Sequence, residues 1–378
     1  MIFMVDKGKI AMDFLAHVIR GNFMARWLPP LMAFCLSFII ILGLAPALGF
    51  QIDRQIDFWI LWIGSMVILA LPLVYLEIAL VKRSKTSALN ALSALTREAD
   101  ASQRWRIAGW LSTIFMPFLA GGILFNITQM TIHSAQLNIQ TSIIFAVGAV
   151  IAFALSFLNR QILVLLTAVG VIISFIIANV MGTSLQAWHV TPVESGEWGK
   201  ATILALVASG LGLGIYGQSQ IAQVAASDRV TGSVLPVWFA QLLAVVAFGF
   251  FAVSSAIPAY GALVAAILSA ALLLSLAKEQ FTQRSIALPI QFIVLLVALL
   301  IWGIPQLANI FNPLLMIWGL VICLIYSIFV GWIMKISHLR KALNFSNEMF
   351  YNIWRIAVRI VLPLSIVMAL VAYIGQLI

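Results

Sequence analysis

Apolar residues fall in long blocks separated by short polar stretches, at about 27–50, 58–81, 107–133, 141–158, 161–182, 200–226, 233–257, 261–276, 286–307, 313–334 and 354–374. About 20 apolar residues in a row suffice for a helix to cross the hydrocarbon core of a bilayer. The pattern therefore predicts an all-α polytopic membrane protein with about eleven spans. The block at 261–276 is short for a crossing, which tilt mismatch or a broken helix would explain. Between the second and third blocks lies a polar, basic loop, 82–106. The connection at 183–199 holds Trp188, Pro192 and Trp198, residues suited to a membrane interface. Ahead of the first block, Ile10, Phe14, Leu15, Val18 and Ile19 fall roughly on one face of an expected interfacial helix within a cytoplasmic N-terminal segment, 1–26.

One block departs from the helical pattern. The sixth contains Ala208-Ser209-Gly210-Leu211-Gly212-Leu213-Gly214-Ile215-Tyr216-Gly217, followed by Gln218, Ser219, Gln220 and Gln223. Each glycine costs a helix about 1 kcal/mol relative to alanine. A broken helix survives at membrane depth only where protein or a cavity covers its freed backbone groups. Two readings stay open here: close helix packing through small residues, or a transporter-type binding site at a glycine-interrupted span.

Composition agrees with the pattern: 63% of residues are hydrophobic, 9% are charged and the mean hydropathy is +1.11. The first apolar run is too long for a signal-peptide core and lacks a small-residue cleavage site. Cys35 and Cys323 both fall inside predicted spans, against a disulfide framework or a thiolate metal site. The net charge of +9 raises nucleic acid as a partner. Counting lysine and arginine in alternate loops dismisses it. With the N-terminus inside, nineteen of the 21 basic residues fall in cytoplasmic segments, and only Arg54 and Lys200 fall outside. The bias predicts N-inside, C-outside topology and makes the basic loops orientation signals facing anionic lipid.

Candidate chemistry is sparse. Glu77 is the one ionisable residue deep in a span, about a turn from the basic end of span 2. A carboxylate there is costly unless paired or hydrogen-bonded. It either snorkels to Lys82 or Arg83, or accepts hydrogen bonds from unwound backbone amides, for which span 6 is the source. The four histidines are scattered, acidic residues do not pair at metal-ligand spacing, and no phosphate-cradling loop occurs, so nothing points to an enzyme. Asn126, Ser209, Gln218, Gln241 and Ser269 are polar groups within spans. Each is more often helix–helix glue than a ligand, and Asn126, Ser209, Gln218 and Ser269 form a site only if the fold brings them together.

Several stretches together resemble the neurotransmitter:sodium symporter family in its short bacterial, eleven-span form. Span 2 reads Leu71-Pro72-Leu73-x-x-x-Glu77 before a basic loop. The span 5–6 connection holds Pro192 and then Glu197-Trp198-Gly199-Lys200-Ala201, similar to the family's entry into span 6. Ser209-Gly210-Leu211-Gly212-Leu213-Gly214 is similar to its unwound region, with Gly212 and Gly214 as the matching glycines. Ala265-Ala266-Ile267-Leu268-Ser269 and Arg359-Ile360-Val361-Leu362-Pro363 resemble late spans.

The resemblance implies a leucine-transporter-like fold of two inverted five-helix repeats, spans 1–5 and 6–10 (about 27–182 and 198–336), with span 11 (352–375) appended. It implies a secondary transporter of an amino acid or related small molecule in the cell membrane, with Na+ as a coupling ion and no other cofactor. Ser209, Gly210, Gly212, Gly214, Asn126 and Gln218 would line the substrate site. Ser37 and Ser269 would serve the ion, and Glu77 would brace the broken span. The chain departs from the family at Cys35-Leu36-Ser37-Phe38, where a Gly-Asn-x-x-Gly-type break is expected. It also departs at Leu124, in the place of a tyrosine, and at Leu268, in the place of a second hydroxyl. These departures motivate a second expectation: a chain that keeps the fold and serves as a transport-inactive membrane partner or sensor of another membrane protein.

Overall fold

The computed structural model describes residues 26–46, 55–181, 187–193, 195–210, 213–251 and 259–377. The expected N-terminal interfacial helix lies outside them. Every extended element among the described residues is helical. The first helices are α1 (Arg26–Leu44), α2 (Ile56–Ser84), α3 (Ala88–Glu98), α4 (Gln103–Ser134), α5 (Thr141–Leu155), α6 (Arg160–Met181) and α7 (Ser195–Ala208). Two short pieces follow, α8 (Ile215–Gln218) and α9 (Ile221–Ala226). The rest are α10 (Thr231–Phe251), α11 (Ala259–Gln283), α12 (Leu288–Gly303), α13 (Pro305–Ile333), α14 (Ile336–Leu343) and α15 (Glu348–Leu377).

Eight of these are long and apolar enough to cross a membrane, and α5 and α12 are shorter apolar helices. The sixth predicted span falls on three helices, α7, α8 and α9, with the wider gap between α7 and α8. The chain is a multi-pass membrane protein. At its centre α11 packs along α4, α6 and α5, while α7 packs between α2 and α15. Closeness is set by small residues: a Cβ on Gly170 of α6 would stand 3.1 Å from the Ala265 backbone of α11.

Several expectations are corrected. Span 8 is not short: α11 runs 25 residues, continuing past Leu276 through Lys278, Glu279 and Gln280. The helix tolerates these charges because Lys278 donates to Ser156 O at 3.0 Å and Glu279 pairs with Arg160 at 3.1 Å. The basic loop 82–106 holds α3, whose apolar residues Leu89, Leu92 and Leu95 are buried on one side. Pro313 does not open its helix but lies inside α13. Helix α15, which carries span 11, begins at Glu348, ahead of the expected span.

Prolines explain two irregular turns. Proline lacks an N–H and crowds the carbonyl four residues back. A π-turn, Met66–Ala70, precedes Pro72, and another, Ala357–Val361, precedes Pro363. Carbonyls opened at such turns need donors in a bilayer. Indole N–H groups supply them: Trp238 donates to Met66 O at 2.9 Å and Trp332 to Arg359 O at 3.1 Å.

The connection between α6 and α7 docks on the start of α2. Ile56 N donates to His189 O at 3.0 Å, and Thr191 N donates to the Asp57 carboxylate at 2.9 Å. Trp188 meets Trp59 with ring centroids 6.2 Å apart.

Candidate functional site

The break between α7 and α8 is built from backbone conformation. Gly210 and Gly214 have φ of +78° and +79°. That region costs an L-residue about 1–2 kcal/mol and costs glycine nothing. Gly212 lies outside the described residues. Helix α7 ends as Ser209 N bonds Ala205 O at 3.1 Å, and α8 begins as Gln218 N bonds Gly214 O at 3.0 Å.

Both broken ends are held from neighbouring helices. The Ser37 hydroxyl of α1 donates to Ala208 O at 2.5 Å. Its single proton is thereby used, so the Tyr216 hydroxyl, 3.1 Å away, donates to Ser37 Oγ. Across the gap, Glu77 Oε1 of α2 accepts from Gly217 N. A donor thus meets the carbonyl end of α7 and a carboxylate meets the amide end of α8. The snorkelling alternative for Glu77 is excluded by its neighbours' partners. Lys82 donates to the last carbonyls around α9, Val224 O at 3.0 Å and Ala225 O at 3.3 Å, and Arg83 pairs with Glu98. Glu77 is 2% exposed and its Oε2 has no hydrogen-bond partner among the described residues.

Glycine also sets the packing here. A Cβ on Gly210 would stand 2.8 Å from Tyr216 Cε2, and one on Gly214 would stand 2.8 Å from Ala88 Cβ at the start of α3. The Tyr216 ring therefore packs against Gly210. Gln241 of α10, fully buried, faces the Tyr216 hydroxyl, and neither of its amide atoms makes a hydrogen bond of good geometry among the described residues.

The remaining candidates divide. Ser209 is buried at the break but turns its hydroxyl to Leu206 O at 2.8 Å within its own helix. Gln218 is drawn away into a polar network at the far end of α11. It donates to Glu279 Oε2 at 2.9 Å and accepts from Gln280 at 3.0 Å, and Gln280 in turn accepts from Thr113 of α4 at 2.9 Å. Asn126 exchanges hydrogen bonds with Asn312 of α13 at 2.9 and 3.4 Å, and no hydrogen bond among the described residues links it to the break. Ser269 is fully buried in α11 and its hydroxyl has no partner among the described residues. The structure thus brings together Ser37, Glu77, Ser209, Gly210 and Gly214, and leaves Asn126 and Gln218 in other polar contacts. Sequence reasoning missed Tyr216 and passed over Gln241. The tyrosine beside a glycine run was the available signal, since glycine leaves room for a ring.

The Asn126–Asn312 pair gives a direct test of interhelical bonding. A double-mutant cycle with alanine at each position is expected to give a coupling of about 0.6 kcal/mol and no more than about 1.7. A coupling of zero in unfolding measurements would mean that the pair adds nothing net to stability.

No protein-family model matches the sequence, and no curated protein matches it. Solved structures do match by shape. Among them is MhsT in complex with L-phenylalanine, with a TM-score of 0.60 and 13% sequence identity, over 92% of this chain and 98% of that one. The likeness establishes a leucine-transporter-like fold.

Proposed function

We propose that this chain is a secondary transporter of a small solute, an amino acid or related compound, working by alternating access around the broken α7–α8 span. One observation carries the reading. The interrupted helix has both ends held by side chains from other helices, Ser37 of α1 and Glu77 of α2. Such half-helix ends present free backbone dipoles to a substrate's charged groups once a clasp lets go. The match in fold to a protein solved with L-phenylalanine supports the choice of solute class. The proposal places the chain in the cell membrane, N-terminus cytoplasmic, on the strength of the loop charges. Coupling to Na+ belongs to the same proposal. Its oxygen set would draw on the Ser269 hydroxyl, which has no partner among the described residues, whereas the Ser37 hydroxyl is occupied by Ala208 O and Tyr216 in this conformation.

A specific observation favours a second reading, the transport-inactive membrane partner. The Tyr216 ring packs against Gly210, where the first reading would seat a solute. Thermal unfolding of the purified protein against an amino-acid panel, in sodium and in choline buffer, separates the two. A ligand at 100 times its Kd stabilises the native state by about 2.7 kcal/mol. A sodium-dependent rise in midpoint with one amino acid is the expected result. A flat panel in both buffers would favour the partner reading, and co-purification would be the next measurement.

A further inference from the structure

Away from the break, the end of α13, helix α14 and the start of α15 line a shallow recess open to the surface. Its walls include Gly331, Leu339, Tyr351, Trp354, Arg355 and Arg359. The Arg359 guanidinium donates to Gly331 O and lies over the Trp332 ring, 5.2 Å from its centroid. Arg355 makes no hydrogen bond or ion pair among the described residues. The charges of Arg340, Arg355 and Arg359 all reach the Tyr351 hydroxyl. The nearby carboxylate, Glu348, is taken by Arg340, and Lys335 is taken by Asp100 at 3.3 Å. Two guanidiniums about one helical turn apart, without a carboxylate between them, repel each other unless an anion joins them.

The surroundings say which anion. Helix α15 has 30 residues, a length of about 45 Å, against about 30 Å of hydrocarbon. Its charged residues, Glu348, Arg355 and Arg359, all lie in its first half, so the excess length stands at that end, at the headgroup level, beside the exposed indole of Trp332. Beside the arginines runs a strip of outward apolar side chains: Trp332 is 59% exposed, Ile353 and Ile356 are each 52% exposed, and Ile360 is 55% exposed. A phosphate held by the arginines would set its acyl chains along that strip.

We propose that this recess binds the headgroup of an anionic phospholipid from the leaflet it faces, with Arg355 and Arg359 holding the phosphate and Trp332, Ile356 and Ile360 flanking the acyl chains. Free phosphate offers the same charge without the chains, and a zwitterionic lipid offers the chains without the net charge.

The test uses delipidated, detergent-purified full-length protein. Its thermal midpoint is followed against phosphatidylglycerol, against phosphatidylcholine of the same acyl chains, and against inorganic phosphate. Phosphatidylglycerol is expected to raise the midpoint, with little effect from the other two. Arg355→Gln is expected to weaken the apparent Kd for phosphatidylglycerol about fivefold, the weight of one basic residue near a membrane surface. Because Arg355 has no hydrogen bond or ion pair among the described residues, the lipid-free midpoint of this variant should match the wild type. Arg359→Lys serves as a second variant that keeps the positive charge and loses the planar fork. Equal shifts with the two lipids, an unchanged Kd in Arg355→Gln, or an equal shift with inorganic phosphate would each overturn the proposal. Failure here leaves the transport reading untouched, since no solute enters the measurement.

Discussion

Valine at Gly214 is expected to be among the most damaging single changes in the molecule, lowering stability by about 2–5 kcal/mol. Two costs combine. The position has φ of +79°, which is a genuine outlier for a β-branched residue and costs about 1–2 kcal/mol even for an ordinary one. A Cβ would also stand 2.8 Å from Ala88 Cβ, and overpacking of that kind costs about 1–3 kcal/mol. The two terms are separable. Gly214→Ala carries both, and adding Ala88→Gly removes the atom it strikes, so the double variant should recover the steric part and keep the conformational part. Unfolding midpoints would read this directly. A valine variant as stable as the wild type would mean that the left-handed turn at Gly214 does not exist.

The second large effect is expected at Glu77. Alanine there leaves the buried Gly217 N–H without its acceptor and opens a void. Hydrogen bonds to a charged group are worth about 1.5–3 kcal/mol, so a loss of about 2–4 kcal/mol is expected. Glutamine keeps an acceptor oxygen at nearly the same place and should stay within about 1 kcal/mol of the wild type in stability, while losing the stronger, charge-assisted form of the bond. Stability then ranks wild type, glutamine, alanine. Equal losses for both variants would show that the charge matters and the acceptor does not. Normal transport by Glu77→Gln would remove the carboxylate from the functional proposal.

Much of this site was legible in the sequence because its parts are unusual for their setting. Glycines repeated within an apolar block and a lone carboxylate near the end of another are both expensive in a bilayer. The structure puts them in contact through Glu77 and Gly217. What stayed hidden depended on partners far along the chain. Asn126 and Gln218 carry the same polar groups as a ligand-binding residue would, and only the fold assigns them to Asn312 and to Glu279. Helix ends were misjudged where charge was taken as a stop. Helix α11 runs on past Leu276 because Arg160 and Ser156 O, from the α5–α6 corner, meet its charges. Helix α3 was read as a loop because its polar residues outweigh a narrow apolar stripe, Leu89, Leu92 and Leu95. The Tyr216 ring in the break is a matter of side-chain direction, which no spacing rule supplies.

The π-turn at Met66–Ala70 has a consequence for sequence comparison. A π-turn holds one residue more than the α-turn it replaces. In an alignment it behaves as a single-residue insertion that leaves both flanking helices intact. Each residue of an α-helix advances the face by about 100°. Deleting one residue from 66–70 would keep Trp59 and Trp62 in place at the N-terminal end of α2 and swing Glu77 by about a quarter turn away from Gly217. A relative lacking that residue would therefore need its carboxylate one position off the match with Glu77. An alignment forced through this stretch without a gap would score such a relative as lacking the acid. The same offset applies beyond Ala357–Val361. With Phe329–Ile333 the described residues hold three such turns, and insertions of this kind left uncounted would erode sequence similarity while leaving the three-dimensional match whole.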